Sequence, residues 1–427
     1  MAISNVYNNQ AFITAKALKQ VKNHLVMVPH CARRWDGDFA GSFRATNGGP
    51  DSGKIGDTIN IRTPWFPSLR TGATASPSAY ADYYTPVQLL QFGVDYEITI
   101  KDQTLNIDEF YTNIADPMAK RLYQDMDIKA WNTLLPSATN SNAFNQFAGK
   151  PGTPLTNMQV PVDAYSTMQT QSAVWDDGRI FAALNPHTVT DIWQGVTTLF
   201  HPAKDVSNRW DTGQLGSAAG IDFESTANAA SLTLGTWSGT IVYSSGATDG
   251  GNTIVVSGMS GTFNPGEKYT ISGVQAVNPQ GNGVQAELKH FTVISQVTNT
   301  ITFSPPFHLT GPLQNINALP TGSASINPWG YTTATALTAG TGQIARQSLV
   351  FHPEAIAYCL GDLIDTSNLG GVAGGNKFAS RMKDPETGLR CSTLFWLDGY
   401  NHKLLFRLDA LYNAAPLRQG FATVVVE

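Results

Sequence analysis

Residues Gly266 to Pro279 read GEKYTISGVQAVNP, and His290 to Val293 read HFTV. In the first run Tyr269 and Ile271 alternate with Thr270 and Ser272 until Gly273 interrupts, the two-residue period of a half-buried strand that ends in a turn. The second run is a short strand of its own. Read as residues alone, the stretch says strand, turn, strand. The same pattern holds from about Ser231 to Phe303, where short strands, Thr253 to Val256 and Thr300 to Phe303 among them, are separated by Gly-rich turns. A small barrel or sandwich is predicted there.

Working outward, residues 160 to 222 alternate helix and strand: Val162 to Ala173 is amphipathic, Ile180 to Leu184 is a strand, and His187 to Phe200 is a helix. Residues 304 to 343, rich in Pro, Thr, Ala and Gly, read as a flexible segment leading out of the β-region. Ser348 to Phe351 then returns to a strand, Ala355 to Leu360 reads as helix or strand, and Gly370, Gly371, Gly374 and Gly375 mark a mobile loop. A β-unit inside an α/β unit is the order this predicts, and residues 226 to 343 are expected to fold autonomously.

Towards the N-terminus, Phe12, Ala15, Leu18 and Val21 keep helical spacing within a polar arm. Ile59 and Ile61 begin a strand. Val94, Tyr96, Ile98 and Ile100 alternate with Asp95, Glu97, Thr99 and Lys101, and Thr63 to Gln91 between them reads as a projecting loop. Asp116 can cap a helix that has Pro117 in its first turn; Met118, Leu122, Met126, Ala130 and Leu134 fall four apart until Pro136. Near the C-terminus Leu404, Phe406, Leu408, Ala410 and Tyr412 share one strand face, with Lys403, Arg407 and Asp409 on the other, and Phe421 to Val426 supplies a last strand.

A chain of 427 residues implies two or more packing units. Its hydrophobic content of 42% is that of a folded protein, while 14% charged residues is well below the usual quarter. A polar, uncharged surface lets subunits approach without large desolvation cost, and a β-rich adhesin or carbohydrate binder has the same composition. The net charge of -5 excludes a global basic footprint for nucleic acid. Cys31, Cys359 and Cys391 are odd in number and far apart, which points to free buried thiols in a reducing compartment. The first residues lack the pattern of a signal peptide, no apolar run reaches membrane-spanning length, and the cytoplasm is the expected place of synthesis.

Catalytic motifs fail on inspection. Gly48 to Lys54, GGPDSGK, nearly spells a phosphate loop, but Ile55 stands where a Ser or Thr would hold magnesium, Pro50 removes a cradling N–H, and a strand pattern follows. His24, His30 and Cys31 lack a fourth ligand. Asp176 and Asp177 read as a turn before the strand at Ile180. Trp237 and Trp329 suggest a sugar platform, against the commoner use of Trp as core. The basic residues Arg33, Arg34, Arg44, Lys54, Arg62 and Arg70 cluster early, with Trp65 and Phe66 among them; ion pairs are the bland reading and genome contact the sharper one.

The Gly-acidic-x-aromatic-Thr-Ile-x-Gly-Val run, the following Val-Asn-Pro and the Phe-Thr-Val strand resemble the inserted β-domain of phage P22-type coat proteins. Asn185 to Gly195, NPHTVTDIWQG, and Ala218 to Phe223, AAGIDF, are similar to family positions as well. The resemblance implies an α+β, HK97-type capsid fold carrying an inserted small β-barrel. The implied parts are an N-terminal arm at 1–45, an extended hairpin loop at 46–100, a spine helix at 101–136 and an A-domain at 137–222 and 346–380. The inserted domain would span 223–345, and P-domain strands would close the chain at 381–427.

What that resemblance implies is a major capsid protein of a tailed double-stranded DNA phage and not an enzyme, without cofactor or metal. It would assemble with itself as hexamers and pentamers around a scaffolding protein and a portal protein, with a decoration protein as a further partner. The packaged DNA would be touched nonspecifically and no membrane would be involved; the place of action is the virion, built in the host bacterial cytoplasm. Trp65, Phe66, Arg70 and Asp249 are the candidate intersubunit residues. In the family a hairpin of the insert crosses a two-fold axis with charged contacts, whereas the counterpart here, Ser244 to Asn252, is Gly-rich with Asp249 as its single carboxylate. Two other readings stay open: an encapsulin-like nanocompartment shell, which would lack the β-insert, and a carbohydrate-binding or hydrolytic β-protein, which would be a monomer with an acidic cleft.

Overall fold

A computed structural model describes residues 25–33, 58–63, 73, 83–101, 114–136, 144–172, 179–196, 216–311, 313–331, 343–361, 363, 377–383 and 390–427. In chain order its elements begin with β1 (Thr58–Thr63), β2 (Tyr83–Gln88), β3 (Leu90–Thr99), α1 (Asp116–Asn132), β4 (Gln146–Gly149), α2 (Gln159–Ser172), β5 (Ile180–Leu184) and α3 (Pro186–Val196). Next come β6 (Gly216–Ala218), β7 (Ile221–Ser225), β8 (Ser231–Thr233), β9 (Val242–Ser245), β10 (Thr253–Ser257), β11 (Lys268–Val277), β12 (Val284–Val297), β13 (Thr300–Ser304) and β14 (Ile326–Pro328). The chain closes with β15 (Ile344–Phe351), β16 (Ile356–Gly361), β17 (Lys377–Lys383), β18 (Arg390–Asp398), β19 (Lys403–Pro416) and β20 (Ala422–Val426). The result is a mixed α+β protein that is mostly sheet. Its chain divides into two compact units, one of Met1–Ile61, Pro86–Ala130 and Ala357–Ala415, the other of Arg62–Thr85, Trp131–Ile356 and Pro416–Glu427.

In the first unit β19 lies between β3 and β18, and β17 borders β18. The face predicted to be apolar is the buried one: Phe406, Leu408, Ala410 and Tyr412 are buried and stand opposite Tyr96, Val94, Phe92 and Leu90. On the other face Asp409 departs from expectation by being buried. Gly93 stands opposite it, and a Cβ there would fall 2.0 Å from Asp409 Oδ1, so the missing side chain makes room for the carboxylate. Helix α1 follows its predicted seam, with Met118, Leu122, Met126 and Ala130 buried. Its buried Asp127 accepts the N–H groups of Val26 (3.1 Å) and Met27 (3.3 Å), while Asp125 accepts the Tyr412 hydroxyl (2.7 Å). All three cysteines are free and buried, and burial pushes the Cys391 thiol up to about 12.

In the second unit a mixed sheet runs in the order β4, β20, β15, β5, β7, β6, with β8 added beside β15. β5 and β7 are parallel, as are β20 and β4, while β15 is antiparallel to β20, β5 and β8. The chain leaves this sheet after β8 and comes back at β15, and these two strands pair through Leu232 opposite Ala345. Between them lies an antiparallel sheet in the order β14, β11, β12, β13, β10, β9. Its first and last strands meet through a bridge between Val242 and Ser325 and a bond from Tyr243 N–H to the Ala324 carbonyl (2.8 Å).

Several sequence expectations need correction. Residues 304 to 331 are not a plain flexible segment: Phe307, Ile316 and Trp329 are fully buried and β14 pairs with β11. Its Pro and Thr residues hide a strand because β11 supplies the bonding partner. β2 occupies part of the predicted loop between Thr63 and Gln91. The stretch from Ala355 to Leu360 is a strand, preceded by a 3-10 turn at Pro353–Ala355. α2 starts at Gln159 and ends at Ser172. Residues 1–24, the phosphate-loop lookalike at 48–54, Asp176, Asp177 and the glycines at 370 to 375 lie outside the described residues.

Candidate functional site

The quoted stretch turns out to be a foundation. Gly266 has φ +95°, and a Cβ there would stand 2.8 Å from Leu135 Cδ2, so neither conformation nor space admits a side chain. Glu267 is fully buried. Its Oε1 accepts from Gly235 N–H (2.6 Å) and Trp237 Nε1 (3.4 Å), and Oε2 accepts from Asn264 N–H (3.3 Å). Burial raises its carboxyl to about 7 although those three donors pull downward. Lys268 points into the α/β sheet's side of the unit, donating to the Phe144 carbonyl and to Thr292 Oγ1 (3.0 Å). Burial lowers its ammonium to about 7.

Tyr269 and Ile271 go the other way, into the six-stranded sheet's core. The Tyr269 ring stacks on Phe291 at 5.7 Å, and Phe291, Phe303 and Phe307 meet edge-on or tilted at 4.7 to 5.3 Å. Opposite Thr270 stands His290, the first residue of the HFTV strand. Its Nδ1 accepts Phe147 N–H (3.3 Å), which places the ring proton on Nε2, and its carbonyl accepts from Asn145 Nδ2 (3.0 Å). Burial, with Lys289 and Lys268 nearby, holds the imidazole down to about 3. Beyond the turn, Asn278 Nδ2 donates to the Thr170 carbonyl (3.2 Å) and Gln171 Nε2 to the Leu288 carbonyl (3.2 Å), tying β11 and β12 to α2. The motif therefore fastens one sheet to the other; it holds no substrate.

Of the predicted contact residues, only Asp249 falls within the description. It is exposed, and its Oδ1 accepts Leu309 N–H at 2.8 Å. Gly250 N–H bonds the Phe307 carbonyl (2.6 Å) and Phe307 N–H bonds the Gly251 carbonyl (2.9 Å), so the Ser244–Asn252 loop is stitched to the 307–309 segment of its own sheet. The carboxylate's first partner is thus internal. Trp65, Phe66 and Arg70 lie outside the described residues, and no geometry joins them to Asp249. The buried set Glu267, Lys268, Lys289 and His290 was missed by sequence reasoning, which took their charges as the polar phase of a strand. Trp237 and Trp329 are fully buried and cannot form a sugar platform. Among the described residues no His, Cys, Asp and Glu side chains gather in threes to hold a metal.

No family model matches this chain, and no curated protein does either. It is similar to solved structures from phages and a virus-like particle. One is described as Mycobacterium phage Che8, with 11% identity, TM-score 0.42, and 94% of this chain and 91% of that one covered. Another is the capsid of Ralstonia phage GP4, with 9% identity, TM-score 0.42, and 87% and 83% covered. A third is a virus-like particle from Pyrococcus furiosus, with 7% identity, TM-score 0.38, and 97% of each chain covered. With TM-scores below 0.5 these are likenesses of outline, and they identify neither a function nor a partner.

Proposed function

We propose that this chain is the major capsid subunit of a tailed double-stranded DNA phage, of P22 type, with an HK97-type body and an inserted β-barrel. The observation that carries the reading is the work done by the resembling residues: Gly266 to Ser272 and His290 to Val293 root a self-joined six-stranded sheet on the α/β sheet that it interrupts. A barrel spliced between β8 and β15 at adjacent strands leaves its host sheet intact. On this reading 1–45 is the arm, 46–100 the extended loop, 101–136 the spine helix, 137–222 and 346–380 the A-domain, 223–345 the insert and 381–427 the P-domain. The shell would reuse the same surfaces in hexamers and pentamers, take its size from scaffolding and portal proteins, and enclose DNA without reading it. Individual contacts of about 4 kcal/mol or less allow errors to dissociate, and their sum over neighbours makes the closed particle persist.

No catalytic role is assigned to any residue. The nanocompartment reading is weakened by the extra six-stranded sheet, and the carbohydrate reading by its buried tryptophans. Purified protein, co-expressed with a scaffolding protein, should give closed particles in electron micrographs and sedimentation, with no nucleotide or glycoside turnover. A stable monomer over a wide concentration range, with hydrolysis, would overturn this function.

A further inference from the structure

One edge of β15 carries an unfinished rung. Antiparallel bonding alternates between the two edges of a strand. On the β8 edge Gln347 N–H reaches the Ala230 carbonyl and Leu234 N–H reaches the Gln343 carbonyl; on the opposite edge Arg346 and Glu427 exchange both their backbone bonds. The alternation gives the next rung on that second edge to Ile344. Among the described residues no strand stands opposite it, because the pairing with β20 runs out at Glu427. Ile344 is accordingly 68% exposed although both its chain neighbours on β15, Ala345 and Gln347, are buried within three residues.

The space past that rung is a groove of about 330 Å³ lined by Pro151, Gly152, Pro154, Leu234, Ile344 and Ala345, with Arg346 and Glu427 at the margin. It continues the path of β20. β20 runs parallel to β4, Val426 opposite Gly149, and the residues that follow β4 become part of the groove's lining. The two charges already answer each other, Arg346 Nη1 lying 3.2 Å from Glu427 Oε1. An occupant must therefore offer a backbone to bond and small or apolar side chains, with no charge to match. This chain is 14% charged and holds uncharged runs such as Ala2 to Ala15.

We propose that in the assembled state a second copy of this chain lays an extended, uncharged segment into this groove, antiparallel to β15, and bonds the N–H and C=O of Ile344. Main-chain pairing would supply the attraction and the apolar lining the fit, as in strand addition generally. The contact rests on the shell reading above, since assembly is what brings a second copy close enough for a three-residue edge to capture it.

Hydrogen exchange of the full chain, followed by mass spectrometry on peptides spanning Gln343 to Gln347, tests this in dissociated subunits and in particles. At least tenfold slower exchange at Ile344 in particles is expected. Slow exchange already present in dissociated subunits would mean that the chain fills its own groove, and the contact between copies would be wrong. Particles that form with unchanged exchange at Ile344 would overturn the contact while leaving the shell standing, and a chain that forms no particles would sink both. As a second arm, Ile344→Pro removes the N–H aimed into the groove, and no bond of the β8 edge uses that group. Subunits of this variant should keep wild-type circular dichroism and assemble with several-fold lower yield; unchanged yield would count against the contact.

Discussion

The sheet of β9 to β14 buries aromatic rings inside and joins its own ends, whereas the sheet of β3, β18 and β19 keeps a row of charges along one face. In the first, Tyr269, Phe291, Phe303 and Phe307 are fully buried and the bridge between Val242 and Ser325 leaves little open edge. In the second, Lys403 pairs with Glu97, and Arg407 lies 3.6 Å from Asp95 and 2.5 Å from Asp409, with Asp95, Glu97 and Arg407 exposed. One sheet is finished by its own residues. The other is finished only on its buried face, and what holds its outer face together is weak and screened by salt. Stability and association should therefore respond to different substitutions, which gives the contrast its tests.

The largest effect should come from the ring cluster. Phe303→Ala removes a fully buried ring that meets Phe291 at 5.2 Å and Phe307 at 4.7 Å. Truncations of this kind cost about 3 to 5 kcal/mol. The variant should lower the urea midpoint of the full chain strongly, and a midpoint within error of wild type would mean that this sheet is not a cooperative core.

Association should instead depend on residues outside that core. Trp65→Ala with Phe66→Ala is expected to weaken shell formation or shell melting, at about 2 kcal/mol or more per buried anchor, with the subunit's circular dichroism unchanged. Unchanged yield and melting would assign both rings to the subunit's own packing, and the loop would lose its place as an intersubunit arm.

Much of this was legible before any coordinates. The four-residue spacing of Met118, Leu122, Met126 and Ala130 announced α1, and the alternation through Leu404 to Tyr412 announced β19, because each pattern reflects contacts repeated along a single element. β14 stayed hidden because a three-residue strand has no period of its own and exists through β11. The burial of Glu267 and Lys268 was equally unreadable: their partners, Gly235 and Phe144, lie far off in the sequence. Of the four contact residues proposed from sequence, Asp249 is placed, and its visible bond is to Leu309 of its own sheet.

Those buried charges give a pH test of intermediate size. The folded-state pKa of Glu267, about 7, lies above its ordinary value, so its contribution is fully present below about 4.5 and is lost as pH rises through 7. Lys268, lowered to about 7, contributes in the opposite sense: its neutral form suits the buried site, and stability is lost as pH falls from about 10.5 through 7. Glu267→Gln should therefore gain on wild type between pH 4.5 and 7, by up to about 2 kcal/mol, read as the difference in urea midpoints across that window. A constant difference over the whole window would show that the carboxyl does not change its protonation there.

The smallest effect should belong to the charged face. Lys403 donates to Glu97 across the β19 and β3 pair, and this bond, with Asp398 nearby, raises the ammonium's pKa. Both side chains are well over a third exposed, at 38% and 49%. Water and salt can replace each partner at little cost, so a raised pKa in such a place is no measure of folding energy. Lys403→Met keeps the stem that covers the sheet and deletes only the charge. Its unfolding midpoint should coincide with wild type at physiological salt, with any difference confined to low salt. A large loss that persists in high salt would mean that this face is held as tightly as the ring-filled one, and the contrast between the two sheets would fail at its weaker end.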